Sequence, residues 1–585
     1  MKKRILSLLL CTIMMVTTIL TGCSKESTSS SGTGDGKKDE FITVDVFDTL
    51  ANYQGIQSGW FAKVVKDKFN MELNIIAPNV AGGGDTLFQT RSAAGNLGDL
   101  IISKTENGRF ENMVKAGLLM DMTNLLKDKA VLTNYKDVIE LMNGDLESKG
   151  IYGIPGEISN QSPLVSSEGI DPMVAPYVRW DSYKAIGYPA MESLEDFIPV
   201  MKSMQENTPK SDSGKKTYAI SLFKDWDDNM MVCTKNYASL YGYNEIGFVL
   251  AKADGSDKQD ITSSDGYYVK ALKFLFQANQ AGLIDPESTT QNYDILSDKY
   301  RDGQILTSLW SFQGSSYYNT VERKNSGKGF MPAYIKGMSP FSFGCYPSGN
   351  GKTIIAIGSQ TKHPERIAEF IDWLYSPEGM ELAGQANGAA GIEGLTWEIK
   401  DGKAVYTDFG EKALPNNDVP VPEEYGGGSW KDGVSALNFK TLSIVDIDPR
   451  IKEPYLTSMW SSELAKRTTP LDLDWQAKSG GAKTTIEFLE NNHALSVAPG
   501  TSYLQPEEGS DITTLRGQCK AVIVDDSWKM IFAKDETEFN SILKHMQDTV
   551  KGLGYEQVLK VDMKNAKDLS DSRIKAVEDY NNKVK

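Results

Sequence analysis

Apolar positions between residues 42 and 102 switch back and forth between two periods. Ile42, Val44 and Val46 alternate with Thr43 and Asp45, the period of a half-buried strand. Trp60, Phe61, Val64, Val65 and Phe69 then recur at helical spacing. Met71, Leu73, Ile75 and Ile76 read as the next strand. A glycine-rich turn, Ala81-Gly82-Gly83-Gly84, precedes a helix from about Asp85, and Leu100-Ile101-Ile102 reads as a third strand. Alternating strand and helix units predict a parallel sheet covered by helices. Ligands of such sheets are met outside the carboxyl ends of the strands. Asp99 opens the third strand, while Ser103, Thr105 and Asn107 leave its carboxyl end, where they would face solvent or ligand.

The alternation continues downstream. An amphipathic pattern from Ser193 carries Met201 and Met204, and Val269 to Ala281 reads as a helix stopped by Gly282. Ile305 to Trp310 and Thr353 to Ile357 read as buried strands. Ile367, Phe370, Ile371 and Leu374 form a helical stripe. Asp535 and Glu538 resemble a capping box, with Phe539, Ile542, Leu543, Met546 and Val550 as the stripe behind it. Residues 401–514, rich in Gly, Pro, Trp and Tyr, show no clear period but are long enough to insert helices into a second lobe.

The amino terminus changes the picture. Lys2, Lys3 and Arg4 precede a mostly apolar run, Ile5 to Leu20, that ends in Leu20-Thr21-Gly22-Cys23. This is the pattern of a secretory signal, and its last four residues resemble the bacterial lipobox, where cleavage precedes a lipid-bearing Cys23. Ser24 to Glu40 contains no apolar side chain and cannot offset its ordering entropy. As a coil it would hold the body roughly 20–25 Å from its anchor. About 545 of the 585 residues remain, too many for one core. Loss of the three leader cations takes the net charge from −16 to −19. That disfavours nucleic acid and mildly favours a neutral ligand. Cys233, Cys345 and Cys519 show no pairing pattern, so no disulfide framework is expected. His363, His493 and His545 lack metal-ligand spacing, and no calcium-loop motif is present.

Several stretches in fixed order are similar to one family. They are SAAGNLGDLIIS, MVKAGLLMDMTNLLKD, IYGIPGE, YVRWDSYKAIGYPAMESLEDFIPVMKSM, GLIDPES with RDGQILTSLW, and PERIAEFIDWLYSPEGMELA, spanning roughly Ile42 to Gly391. Together they resemble the extracellular solute-binding proteins of ABC transporters, the sugar-binding group called family 1, in its long Gram-positive lipoprotein form. Gly98 stands where the family usually has Pro. The resemblance implies an α/β, two-lobed periplasmic-binding-protein-like fold of type II, with a ligand cleft between lobes joined by hinge crossings. Its expected segments are a signal peptide (1–22), a lipidated Cys23 and linker (23–40), lobe 1 (41–165 plus 340–400) and lobe 2 (166–339). Residues 401–585 would contribute to both. It implies no reaction and no cofactor. It also implies a monomer, an ABC permease as partner and a lipid anchor on the outer membrane face. The length suggests an oligosaccharide. A surface-anchored carbohydrate-active enzyme, which needs only two carboxylates, and a peptide-binding or sensor lipoprotein remain alternatives.

A sugar cleft needs aromatic faces for C–H patches and planar polar groups for hydroxyls. Trp60, Trp373 and Trp528 follow core patterns. Trp226, within Asp225-Trp226-Asp227-Asp228, Trp310, ahead of Phe312 and Gln313, and Trp430, after a Gly-Gly-Gly-Ser run, are the candidate platforms. Asn52 and Gln54 after the first strand, Ser103 and Glu106 after the third, Glu157 after the Tyr-Gly-Ile-Pro crossing, and Arg179 and Asp227 complete the candidate set. Arg179 and Asp181 could instead form a structural ion pair.

Overall fold

The computed structural model describes residues 40–80, 84–144, 146–415 and 418–584. The expected signal, the lipobox with Cys23, nearly all of the linker and three residues of the glycine turn lie outside them. The first sheet forms from β1 (Ile42–Asp48), β2 (Gly55–Ile56), β3 (Met71–Ile76), β4 (Leu100–Lys104), β5 (Ile154–Pro155) and β6 (Thr353–Ile357). Their order is β2-β3-β1-β4-β6-β5. β3, β1 and β4 run parallel, as the alternation predicts. β6 and β2 run antiparallel to their neighbours. Gly98 and Asp99 fix β4 beside β1. The Asp99 backbone N–H donates to the Asp45 carbonyl (2.8 Å), and its carboxylate accepts from the Asp45 N–H (2.9 Å). A Cβ on Gly98, at φ +153°, would lie 2.8 Å from that carbonyl. The acid before the strand is therefore a staple.

A second layer of structure begins at Tyr177–Arg179, which lies antiparallel between Thr307–Ser308 and Phe330–Pro332. The segment Tyr218 to Leu222 bridges Ile305 and Ile284 in parallel. The predicted strand from 305 to 310 is shorter than expected, because Trp310 already opens the helix Ser311–Tyr318. At Asp535 the cap is half of the expected box. Its carboxylate accepts from the Glu538 N–H (2.9 Å), but the Glu538 carboxylate reaches one residue further back, to the Lys534 N–H (2.7 Å).

Buried apolar residues gather into two large cores. One runs from Ile42 to Ile158 and from Ile355 to Tyr455. The other runs from Val174 to Met338 and from Leu471 to Val558. The chain therefore crosses between them three times. Cys233, Cys345 and Cys519 are buried and free. No helix among the described residues is long and apolar enough to cross a membrane. The C-terminal helix, Tyr555–Val584, has 30 residues, about 45 Å of length. It starts in the second core, where the buried Asp562 carboxylate receives the Phe248 N–H (2.7 Å) and both terminal nitrogens of Arg516. It ends against the first lobe, with Lys583 3.1 Å from Asp137.

Candidate ligand-binding site

Parallel strands send their carboxyl ends to one edge. The Leu306 N–H donates to the Tyr218 carbonyl and the Thr307 N–H to the Ala219 carbonyl, both at 3.0 Å. The chain beyond each segment then delivers an aromatic residue. Trp226 follows the first and Trp310 the second, and their rings lie 5.8 Å apart, edge to face. The Trp226 ring meets Phe223 at 4.9 Å, Tyr293 at 4.6 Å and Phe312 at 6.2 Å. Trp226 is 43% exposed and Phe312 42%, whereas Trp310 is 6% exposed and backs both. This is an open aromatic wall on a buried footing. Tyr293 escaped the sequence reading. It comes from a helix start 68 positions beyond Asp225, whose carboxylate accepts the Tyr293 N–H at 2.8 Å. No local pattern announces that contact.

The first lobe presents a polar lip at the carboxyl ends of β1 and β3. Asn52, Tyr53 and Gln54 are exposed there. The Gln54 side-chain oxygen accepts from the Ala77 N–H (2.8 Å), and the Asn79 amide donates to the Thr49 carbonyl (3.2 Å). Glu106 and Asn107 are exposed beyond β4. Glu157 begins a crossing at φ +52°, half-buried, with Lys440 at 3.6 Å.

Other expected site residues serve the fold. Trp430 is 0% exposed and stacks on Trp60, ring centroids 4.5 Å apart and planes 7° apart, so it is a core residue and no platform. Ser103 is buried and its hydroxyl donates to the Lys104 carbonyl. Thr105 is buried and donates to the Gly351 carbonyl (2.7 Å). Neither faces ligand, because β6 covers β4. Arg179 is buried, forks onto Asp181 (3.0 and 2.7 Å) and lies over the Tyr318 ring, which makes it the structural pair. Asp227 has both oxygens engaged, by the Trp528 indole N–H (2.7 Å) and the Val232 N–H (2.9 Å). It anchors the Trp226 loop. Gln313 is buried behind the wall with its amide nitrogen unpartnered. Trp60 and Trp528 are core, as their patterns predict.

Asp48 ends β1 and turns the chain toward the lip. One oxygen accepts from the Leu50 and Ala51 N–H groups (2.8 and 3.0 Å), and the other is buried without a partner. Burial pushes its pKa up to about 7, against the lowering effect of those hydrogen bonds. The folded state thus holds a proton that the unfolded chain releases near pH 4. The associated stability is complete below pH 4 and lost as pH rises through 7. Urea melts of the wild type should therefore show falling stability from pH 5 to pH 8. Asp48→Asn should flatten that slope and be the more stable form at pH 8. Equal slopes in both proteins would refute the assignment.

A family model for bacterial extracellular solute-binding proteins matches residues 55–381. Lipoprotein LipO of Bacillus subtilis (strain 168) is 21% identical over 425 residues, covering 71% of this chain and 77% of that protein. Two solved structures share the fold. The S. pneumoniae ABC-transporter substrate-binding protein FusA, in complex with kestose, aligns with a TM-score of 0.54 at 14% identity, over 90% of this chain and 98% of its own. An HMO-binding, ABC-transporter-associated solute-binding protein from Bifidobacterium longum infantis aligns with a TM-score of 0.55 at 12% identity, over 91% and 99%.

Proposed function

We propose that this chain, which belongs to the bacterial extracellular solute-binding protein family, captures an oligosaccharide between its two lobes and delivers it to the permease of an ABC importer. The observation that carries this reading is the half-exposed Trp226–Phe312 wall, backed by Trp310 and Tyr293. Rings held on a buried footing lose little entropy when a sugar face settles on them. The exposed lip at Asn52 and Gln54, with Glu106 and Glu157, supplies the polar groups that orient hydroxyls. Solved proteins of this fold that bind kestose and HMO support a carbohydrate ligand. The family and these neighbours are binding proteins, which supports capture without turnover.

In this reading the lobes are residues 41–165 with 340–400 and residues 166–339, sharing the 401–585 segment. A lipid on Cys23 tethers the body to the extracellular face of the membrane, and the likeness to a lipoprotein supports that anchor. The chain works as a monomer. The test is a thermal-shift screen of the purified full chain against oligosaccharides, monosaccharides and short peptides, with product analysis and intact mass. A ligand at 100 times its Kd adds about 2.7 kcal/mol. The expected result is a selective oligosaccharide shift, no cleavage, and a lipid mass on Cys23. A peptide-only shift, or cleaved sugar, would replace this reading.

A further inference from the structure

A cavity of about 400 Å³ lies where the two lobes meet. Asn229, three residues beyond Trp226, and Glu245 line it from the second lobe. Lys352 lines it from the loop leading into β6, where its carbonyl accepts the Thr105 N–H (3.0 Å). Tyr346 comes from a crossing, and Arg573 from the C-terminal helix. In a chain of net charge −16, this cavity is cationic. Lys235, Lys352 and Arg573 face it against one carboxylate, Glu245. That carboxylate is already satisfied, by Lys235 (2.9 Å) and the Asn229 amide (2.8 Å).

Arg573 is the anomaly. It is 9% exposed and its Nε is buried without a partner. Its guanidinium makes a 3.4 Å contact with the Ala253 carbonyl, and no ion pair engages it among the described residues. Burial pulls its pKa down to about 10, so it stays charged at neutral pH. An uncompensated buried charge is costly to the fold. A site that retains one is built to receive the opposite charge. A guanidinium fork matches a carboxylate through two parallel hydrogen bonds. Buried Asn565 and the unpartnered Tyr503 hydroxyl line the same cavity and suit sugar hydroxyls.

We propose that this cavity receives a carboxylate-bearing sugar residue, a uronic acid of the captured oligosaccharide, with Arg573 as the partner of its carboxylate. The proposal rests on the carbohydrate reading above and narrows it. It reverses the expectation that an acidic chain favours a neutral ligand, because the local charge of the cavity opposes the average.

The test titrates the full chain with oligosaccharides containing galacturonate, glucuronate or mannuronate, with the methyl esters of the same oligosaccharides, and with sodium sulfate. An acid should bind at least about 10-fold more tightly than its ester. Arg573→Met should abolish that preference while leaving ester binding in place, and should melt no lower than wild type without ligand. Lys352→Met, on an exposed cation, should lower acid affinity by a smaller factor. Equal binding of acid and ester, an intact preference in Arg573→Met, or a full shift with sulfate alone would overturn the proposal and leave the carbohydrate reading standing. Failure of every acid and ester to bind, while a neutral oligosaccharide binds, would also overturn the proposal and leave the carbohydrate reading standing; only failure of every oligosaccharide, neutral ones included, would overturn that reading itself.

Discussion

Trp430→Ala should destabilise the fold by about 3–5 kcal/mol, the range for removing a large buried aromatic. The ring has no exposed surface. It stacks on Trp60 at 4.5 Å and meets Phe409 edge to face at 5.8 Å. Its own carbonyl accepts the Trp60 indole N–H (3.1 Å), so the two tryptophans are bound through backbone as well as faces. Backbone presses on both rings, since a Cβ at Gly391 would fall 2.8 Å from Trp430 and one at Gly433 would fall 2.5 Å from Trp60. Little room exists for the surroundings to collapse into the space left behind. Urea denaturation at fixed pH gives the number. The affinity of the molecules that remain folded should be unchanged. A loss under about 1 kcal/mol, or a selective loss of affinity, would return Trp430 to the ligand site.

Trp226→Ala should show the reverse pattern. Its ring is nearly half exposed, so stability should fall by about 1 kcal/mol or less, as for most surface changes. Ligand affinity should fall by at least about 2 kcal/mol, roughly 30-fold, the loss typical of a central aromatic anchor. Phe312 and Tyr293 would remain, but the face they share with Trp226 would be broken. Isothermal titration with the oligosaccharide found by screening measures the loss. Unchanged affinity would place the ligand elsewhere. Paired with Trp430→Ala, this experiment separates two tryptophans that local sequence cannot separate.

Much of the first sheet was legible because its signals are local. Ile42 to Val46, Met71 to Ile76 and Leu100 to Ile102 carry their own periodicity, and the parallel order of β3, β1 and β4 follows from it. The antiparallel pairing of β6 was not legible, because Thr353–Ile357 finds β4 across the first long excursion of the chain into the second lobe. The same limit explains the site. Trp310 was readable as the end of a strand, and Trp226 as an aromatic set among aspartates between apolar segments. Trp430 sat among glycines that suggested an open approach, yet its partner Trp60 lies 370 positions away. Ser103 read as a strand-end polar group only because the covering β6 was unseen.

Arg573 did carry a local signal. Its neighbours on the helix, Lys564, Lys567 and Lys575, each pair with an aspartate four residues on. Arg573 has Leu569 and Val577 at the corresponding positions, which places it on an apolar face. A cation on such a face asks for a partner from outside the helix.

The antiparallel insertion of β6 also constrains how the molecule comes into being. β4 lies in the middle of its sheet, yet one of its two neighbours is made late. Thr105, just beyond β4, bonds to Gly351 across 246 positions of chain. Until that distance has been synthesised, Leu100 to Lys104 is an uncovered strand edge of apolar sequence, the kind of template that recruits other chains. Closing so long a loop is also slow. The first lobe to emerge therefore cannot be the first to finish. The two lobes are interlocked in sequence, and the edge of β4 stays open to other chains until the strand that pairs with it has been made.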